Sequence, residues 1–167
     1  MITISEAQPN EFNIIQHLVY TIWPDCYGEI LSKPQLDYML GKFYTLEALN
    51  QNADDGQQFL LLKENGEPLG FAAYEHRYKN RNVTRIHKIY ILPNTQGKGL
   101  GKLLIGKIQE LAVNNHSEAL SLNVNRFNVA KSFYEKLGFE VTGEEDVAIG
   151  EGYLMEDFMM EKTLSSR

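Results

Sequence analysis

The sequence predicts a mixed α/β domain, a sheet of parallel and antiparallel strands with helices on both faces. Three observations carry that expectation. Hairpin-type strands joined by a tight turn occupy the first half. A strand, a glycine-rich turn, a helix and another strand follow one another in the second half. The helical stretches between them place apolar residues at a spacing near 3.6. The expected order is β-α-α-β-β-β-α-β-α-β-β, read as a single domain over residues 1–167.

Ile2 and Ile4 alternate with polar residues and read as a short first strand. Pro9-Asn10 opens a helix with Phe12, Ile15, Leu18, Val19 and Ile22 on one face, and Pro24 is expected to end it. Ser32 and Pro34 introduce a second helix carrying Leu36, Met39, Leu40 and Phe43, with a short helical stretch over Leu46–Gln51. Phe59–Lys63 and Leu69–His76 read as strands joined by Glu64-Asn65-Gly66-Glu67, because Asn and Gly both accept the positive φ of a hairpin turn. Val83–Leu92 is a long strand broken by Pro93-Asn94-Thr95. Gly99–Val113 is a helix with the stripe Leu100, Leu103, Leu104, Lys107, Ile108, Leu111 and Ala112. Leu120, Leu122 and Val124 mark a further strand. Asn128 is a good N-cap for a short helix with Ala130, Phe133, Tyr134 and Leu137, closed by Gly138. Phe139–Val141 and Tyr153–Lys162 are the last strands, with Gly143, Gly150 and Gly152 as punctuation.

Composition narrows the function. The 167 residues are 43% hydrophobic and 23% charged, ordinary for a soluble domain able to fill its own core. Sixteen Lys and Arg against 22 Asp and Glu leave a net charge of −6, so no nucleic-acid partner is expected. Such a balance accommodates a cationic or amine substrate. No apolar run approaches the ~18 residues of a membrane span, so no membrane partner is expected. The first residues carry no basic, apolar leader pattern. Cys26 is the single cysteine, which precludes an intramolecular disulfide and makes a reducing cytoplasm the expected location. His17, His76, His87, His116 and Cys26 show no metal-ligand spacing, so no metal is expected.

The chemistry concentrates in Gln96-Gly97-Lys98-Gly99-Leu100-Gly101-Lys102, between a strand and a helix. Glycines let the backbone turn tightly against a ligand. The helix start offers unpaired N–H groups and the positive end of its dipole, an arrangement suited to phosphate. Lys98 and Lys102 add cations four residues apart, with Lys88, Lys107, Arg126 and Lys131 as further cations expected nearby. Gly-Lys-Ser/Thr does not occur, which argues against a Walker loop. The Gly97, Gly99, Gly101 spacing, late in the chain, does not match the dinucleotide fingerprint. The pattern Gln-x-x-Gly-x-Gly over residues 96–101 is similar to the pyrophosphate loop of the GNAT (GCN5-related N-acetyltransferase) family. Lys88-Ile89-Tyr90-Ile91-Leu92-Pro93 resembles that family's central strand, and residues 125–139, with Asn128, Tyr134 and Gly138-Phe139, resemble its second signature. Met160-Glu161-Lys162-Thr163-Leu164 is similar to the usual last strand.

The resemblance implies a GNAT-like acyl-CoA N-acyltransferase fold and acetyl transfer from acetyl-CoA to a primary amine by direct attack. Gln96, Gly97, Lys98, Gly99, Leu100, Gly101 and Lys102 would cradle the pyrophosphate through backbone N–H groups. Ile89, Tyr90 and Ile91 would pair with the pantetheine arm as an added strand would, and Asn128 would reach the same arm. Tyr134 would protonate the departing thiolate, a general-acid step. Many relatives carry a glutamate on the central strand. Thr84-Arg85-Ile86-His87-Lys88 has none, which leaves His87 as the candidate base, followed by His76 or Glu75.

The acceptor pocket of this family usually borders the loop after the first helix. That places Trp23, Tyr27 and Glu29 as candidates, with an aromatic–acidic grouping suited to a cationic amine. Tyr153, Glu156 and Asp157 are further candidates, while Met155, Met159 and Met160 read as core. The expected acceptor is a small molecule such as a polyamine, with a protein N-terminus or lysine as the alternative. A non-catalytic acyl-CoA-binding domain is the alternative of another class, against which the intact Tyr134 argues. The family often dimerises, so a homodimer is also expected.

Overall fold

The computed structural model describes residues 1–95 and 97–164. It contains β1 (Ile2–Glu6), α1 (Phe12–Tyr27), α2 (Lys33–Phe43), α3 (Leu46–Asp54), β2 (Gln58–Glu64), β3 (Glu67–Glu75), β4 (Val83–Ile91), α4 (Leu100–Asn114), β5 (Ala119–Asn125), α5 (Ala130–Lys136), β6 (Glu140–Gly150) and β7 (Tyr153–Thr163). The mixed α/β fold and its element order agree with the sequence, α3 being the short stretch read at Leu46. By internal packing the chain divides into two compact units, Met1–Glu75 with His87–Ile108, and His76–Ile86 with Gln109–Arg167.

In the first unit β1, β2, β3 and the C-terminal half of β4 are neighbours in that order. β1 and β2 are antiparallel, as are β2 and β3. The β2–β3 turn places Asn65 at φ +52° and Gly66 at +84°, the left-handed pair that selected those residues. Phe59, Leu60, Leu61, Leu62, Phe71, Ala72 and Ala73 are buried, so these strands read as near-continuous apolar runs. α1 covers them with Phe12, Ile15, Leu18, Val19, Ile22 and Trp23, all buried. Ser32 caps α2 by accepting from the Gln35 N–H, and Thr45 caps α3 by accepting from that of Ala48.

The expected end of α1 at Pro24 is corrected. The helix runs through the proline to Tyr27, with the Gly28 N–H on the Pro24 carbonyl. Proline removes one donor, the bond to the Tyr20 carbonyl. Tyr20 is exposed, so water can satisfy that carbonyl at small cost.

In the second unit the N-terminal half of β4 pairs in parallel with β5, at Val83↔Ala119, Thr84↔Leu120 and Arg85↔Ser121. β7 lies antiparallel between β5 and β6. Leu120, Leu122, Val124 and Met160 form its core with Phe139. β6 is longer than Phe139–Val141. It continues through Gly143 to Gly150, because a register shift between Val141 and Gly143 absorbs the glycine within the ladder. The buried face of α4 is Leu100, Leu104, Ile105, Ile108 and Ala112. Leu103 points outward, so the apolar stripe is displaced by one position toward Ile105. No helix among the described residues is long and apolar enough to cross a membrane.

Candidate active site

The glycine-rich turn leaves β4 through a single 3-10 turn at Pro93–Thr95, where the Thr95 hydroxyl donates to the Leu92 carbonyl at 2.7 Å. Gly97 follows at φ +92° and Gly99 at +72°. A Cβ built on either would meet nothing within 4 Å, so both glycines are required by backbone direction and face open space. α4 begins at Leu100, whose side chain is buried and anchors the turn. Gly101 is half-buried, and Lys98 and Lys102 are exposed. Lys98 Nζ lies 3.4 Å from Glu64 Oε1. Gln96 lies outside the described residues. Open space beside Gly97 and Gly99 at the start of a 15-residue helix suits an anion such as a pyrophosphate.

Three of the cations expected near this turn have polar partners of their own. Arg126 pairs with Asp146, and Lys131 with Glu135 at 3.3 Å. Lys88 Nζ donates to Asn52 Oδ1 at 3.0 Å and Gln57 Oε1 at 2.9 Å, and lies against the Tyr44 and Phe59 rings. Strand alternation sends Lys88 to the side of β4 that faces α3, and burial lowers its pKa to about 8.

Alternation also separates the other candidates on β4. Tyr90 shares the Lys88 side. Its hydroxyl is 3.1 Å from that of Tyr27, and its ring lies 5.8 Å from that of Trp23. Trp23 further contacts the rings of Tyr27 at 5.1 Å and Tyr44 at 5.2 Å. The structure therefore joins the expected acceptor residues Trp23 and Tyr27 to Tyr90 in one aromatic cluster. Trp23 is only 3% exposed and its Nε1 is buried without a hydrogen-bond partner. Burial, then Tyr90, raises the Tyr44 pKa well above its usual value. Glu29 stands exposed beyond the end of α1. Ile89 and Ile91 are half-exposed on the opposite side of β4.

That opposite side carries His87. Its Nε2 lies 2.9 Å from Glu75 Oε1 at the end of β3, so two of the candidate bases form one pair. Desolvation, and secondarily Asp55, raises the Glu75 pKa. His76 turns away to a structural contact. Its Nδ1 is 2.8 Å from Thr84 Oγ1, which is 2.7 Å from Ser117 Oγ, and burial lowers its pKa.

In the second unit Tyr134 is buried on α5, between the rings of Phe133 at 5.3 Å and Phe139 at 5.8 Å. Asn128 Oδ1 accepts the Ala130 N–H at 2.9 Å and so braces the first turn of α5. Tyr153 opens β7 half-buried. Asp157, in mid-strand, is 4% exposed and accepts from Asn123 Nδ2 at 3.2 Å. Desolvation raises its pKa, opposed by the Asn123 hydrogen bond. Arg85 and Asn123, which sequence reasoning did not single out, each hold a buried polar atom without a partner, Arg85 Nε and Asn123 Oδ1. The available signal was a charged residue alternating with Thr84 and Ile86 inside an apolar strand. No group of three or more His, Cys, Asp or Glu among the described residues could hold a metal.

Residues 31–163 match the acetyltransferase (GNAT) domain family, and the chain belongs to that family. It is 35% identical over 107 residues to an uncharacterized N-acetyltransferase of Methanocaldococcus jannaschii, covering 61% of this chain and 45% of that protein. It is 36% identical over 88 residues to the [ribosomal protein bS18]-alanine N-acetyltransferase of Haemophilus influenzae, covering 52% of this chain and 58% of that protein. The chain thus spans about half the length of these curated relatives. The fold resembles the crystal structure of PaiA N-acetyltransferase from Thermoplasma acidophilum in complex with coenzyme A. That likeness has a TM-score of 0.81 at 22% identity, over 98% of this chain and 99% of the other.

Proposed function

We propose that this protein is an acetyl-CoA-dependent N-acetyltransferase acting on a primary amine by direct attack. One observation carries the reading: in a chain of the GNAT family, Gly97 and Gly99 both hold left-handed backbone facing open space at the start of α4. The N–H groups of Gly97 to Lys102, with the Lys98 and Lys102 ammonium groups, would hold the pyrophosphate. Ile89 to Ile91 would offer main-chain pairing to the pantetheine arm, and Asn128 would meet the same arm. Acetyl-CoA, when bound, supplies the thioester.

The remaining chemistry is proton movement by this chain's own groups. The amine must be neutral to attack. The His87–Glu75 pair, joined at 2.9 Å, would take the ammonium proton directly or through water. Glu75 would then stabilise the imidazolium. The Tyr134 hydroxyl would donate to the departing sulfur, neutralising charge that a dry site stabilises poorly.

For the acceptor, an amine on a peptide or protein is the better reading than a polyamine. The likeness to the Haemophilus influenzae enzyme, which acetylates an alanine of ribosomal protein bS18, supports it. So does the fate of the expected acidic grouping. Asp157 is buried and engaged by Asn123, so it is a poor anchor for a polycation. Calorimetric titration with CoA, followed by thiol release across N-terminal peptides, lysine peptides, amino acids and polyamines, tests the proposal. Heat of CoA binding and faster release with peptides are expected. Absence of binding heat would remove the enzyme assignment, and faster release with polyamines would reverse the choice of acceptor.

A further inference from the structure

Arg126 opens the turn between β5 and α5, shortly before Asn128 and Tyr134, and all three lie in the second unit. Its side chain is 19% exposed and reaches the neighbouring β6–β7 hairpin. Nη2 pairs with the Asp146 carboxylate on β6 and lies 3.9 Å from Glu156 Oε1 on β7. Nη1 donates to the Asp157 carbonyl at 3.5 Å, and the Arg126 main-chain N–H donates to the Glu156 carbonyl at 2.9 Å. A single residue thus fastens the turn to two strands, through both its backbone and its side chain. A guanidinium suits that task, because its planar fork can serve a carboxylate and a carbonyl together.

The hairpin and the turn each show why this contact is more than a surface ion pair. In the β6–β7 register Glu145 stands opposite Asp157, and Asp146 opposite Glu156. Like charges directly opposite weaken a ladder, so the hairpin gains nothing from them by itself. Arg126 supplies the cation from outside the hairpin. The turn, for its part, has little apolar anchorage. Phe127 is 64% exposed and Val129 88%. The Phe127 N–H on Asn125 Oδ1, the Asn128 N–H on the Asn125 carbonyl and the Ala130 N–H on Asn128 Oδ1 shape the turn without fixing it to the sheet.

The helix that follows depends on that anchorage. α5 has seven residues, too few to be stable alone, and Tyr134 is the residue it buries. Lys131 adds one contact to β7, its Nζ 5.2 Å from the centre of the Phe158 ring. A proton donor works only from hydrogen-bond distance, so a displacement of α5 by about 1 Å is felt in the rate.

We propose that Arg126 is a positioning residue for acetyl transfer: by tying the β5–α5 turn to the β6–β7 hairpin it sets where α5 holds Tyr134. This rests on the acetyltransferase reading above, in which Tyr134 protonates the departing sulfur, and adds the residue that aims it.

A double-mutant cycle in the full chain tests it, with wild type, Arg126→Met, Tyr134→Phe and the double variant. The readouts are kcat from thiol release at saturating acetyl-CoA and amine, CoA affinity from calorimetry, and thermal melts. Arg126→Met is expected to lower kcat at least about tenfold when Tyr134 is present and less than about twofold when it is Phe, because an absent donor cannot be misplaced. CoA affinity is expected to change far less than kcat. A role in overall stability alone would lower kcat by the same factor in both backgrounds.

Equal loss in both backgrounds therefore overturns the proposal. So does wild-type kcat in Arg126→Met, or a loss confined to CoA affinity. Full kcat in Tyr134→Phe overturns the donor role of Tyr134 and this proposal together. A wild type that neither binds CoA nor releases thiol overturns the acetyltransferase reading itself. Should Arg126→Met lack a cooperative melt, Asp146→Asn takes its place in the cycle, since it loosens the grip from the exposed side of the pair. A loss of about threefold that vanishes in the Tyr134→Phe background then supports the proposal, and no loss, or the same loss in both backgrounds, overturns it.

Discussion

Tyr134, buried, and Lys88, half-buried, are two polar residues with opposite consequences. Tyr134 meets the rings of Phe133 and Phe139 edge to face, contacts that hold its ring while its hydroxyl carries a proton to donate. Tyr134→Phe keeps those ring contacts and removes the proton. It is expected to lower kcat more than about tenfold while leaving the CoA dissociation constant unchanged, as stopped thiol-release assays and calorimetry would record. Lys88 is an ammonium held by two neutral amide oxygens and two rings. Its pKa falls from 10.5 to about 8 because burial penalises the charge. Between about pH 8 and 10.5 the unfolded chain keeps a proton that the folded chain has released. Stability against unfolding therefore rises with pH across that window. Lys88→Met is expected to raise the melting temperature at pH 7 and to flatten the rise, measured by thermal melts at matched pH values.

At the scale of the element, the close approach of β3 to β4 matters most. A Cβ on Gly70 would fall 2.8 Å from the Tyr90 carbonyl oxygen and run into the Ile91 side chain. Backbone cannot yield as a flexible side chain can, so β4 would have to shift. Gly70→Ala is expected to cost about 1–3 kcal/mol in denaturant unfolding. It is also expected to weaken CoA binding severalfold, because Tyr90 and Ile91 belong to the segment proposed to pair with pantetheine. Element boundaries show where local signals suffice. Asn65-Gly66 and Ser32 marked their turn and cap because each acts on backbone a few residues away. Pro24 misled because the cost of a lost helix bond depends on whether water reaches the Tyr20 carbonyl, a property of the surroundings. Gly143 misled because β7 supplies the ladder that carries β6 past it.

For the molecule as a whole, a net charge of −6 coexists with two exposed lysines at the glycine turn. Attraction of a polyanion to this turn is then local and open to screening. CoA affinity is expected to fall as ionic strength rises. Lys98→Ala and Lys102→Ala should each weaken binding severalfold in dilute buffer and much less at about 0.5 M salt, where the Debye length is only a few ångströms. Titrations at two salt concentrations measure this. By itself the sequence determined the fold class, the order of the elements and the position of the glycine-rich turn. Each of these follows from periodicity, turn chemistry and helix ends, which act over short stretches of chain. Tertiary structure decided that Glu75 meets His87, that Lys88 is drawn toward α3, that Trp23 and Asp157 are buried, and that Arg85 and Asn123 share a face. Those outcomes depend on strand register and on packing between segments distant in sequence, and no local pattern encodes the distance between two side chains that only folding brings together.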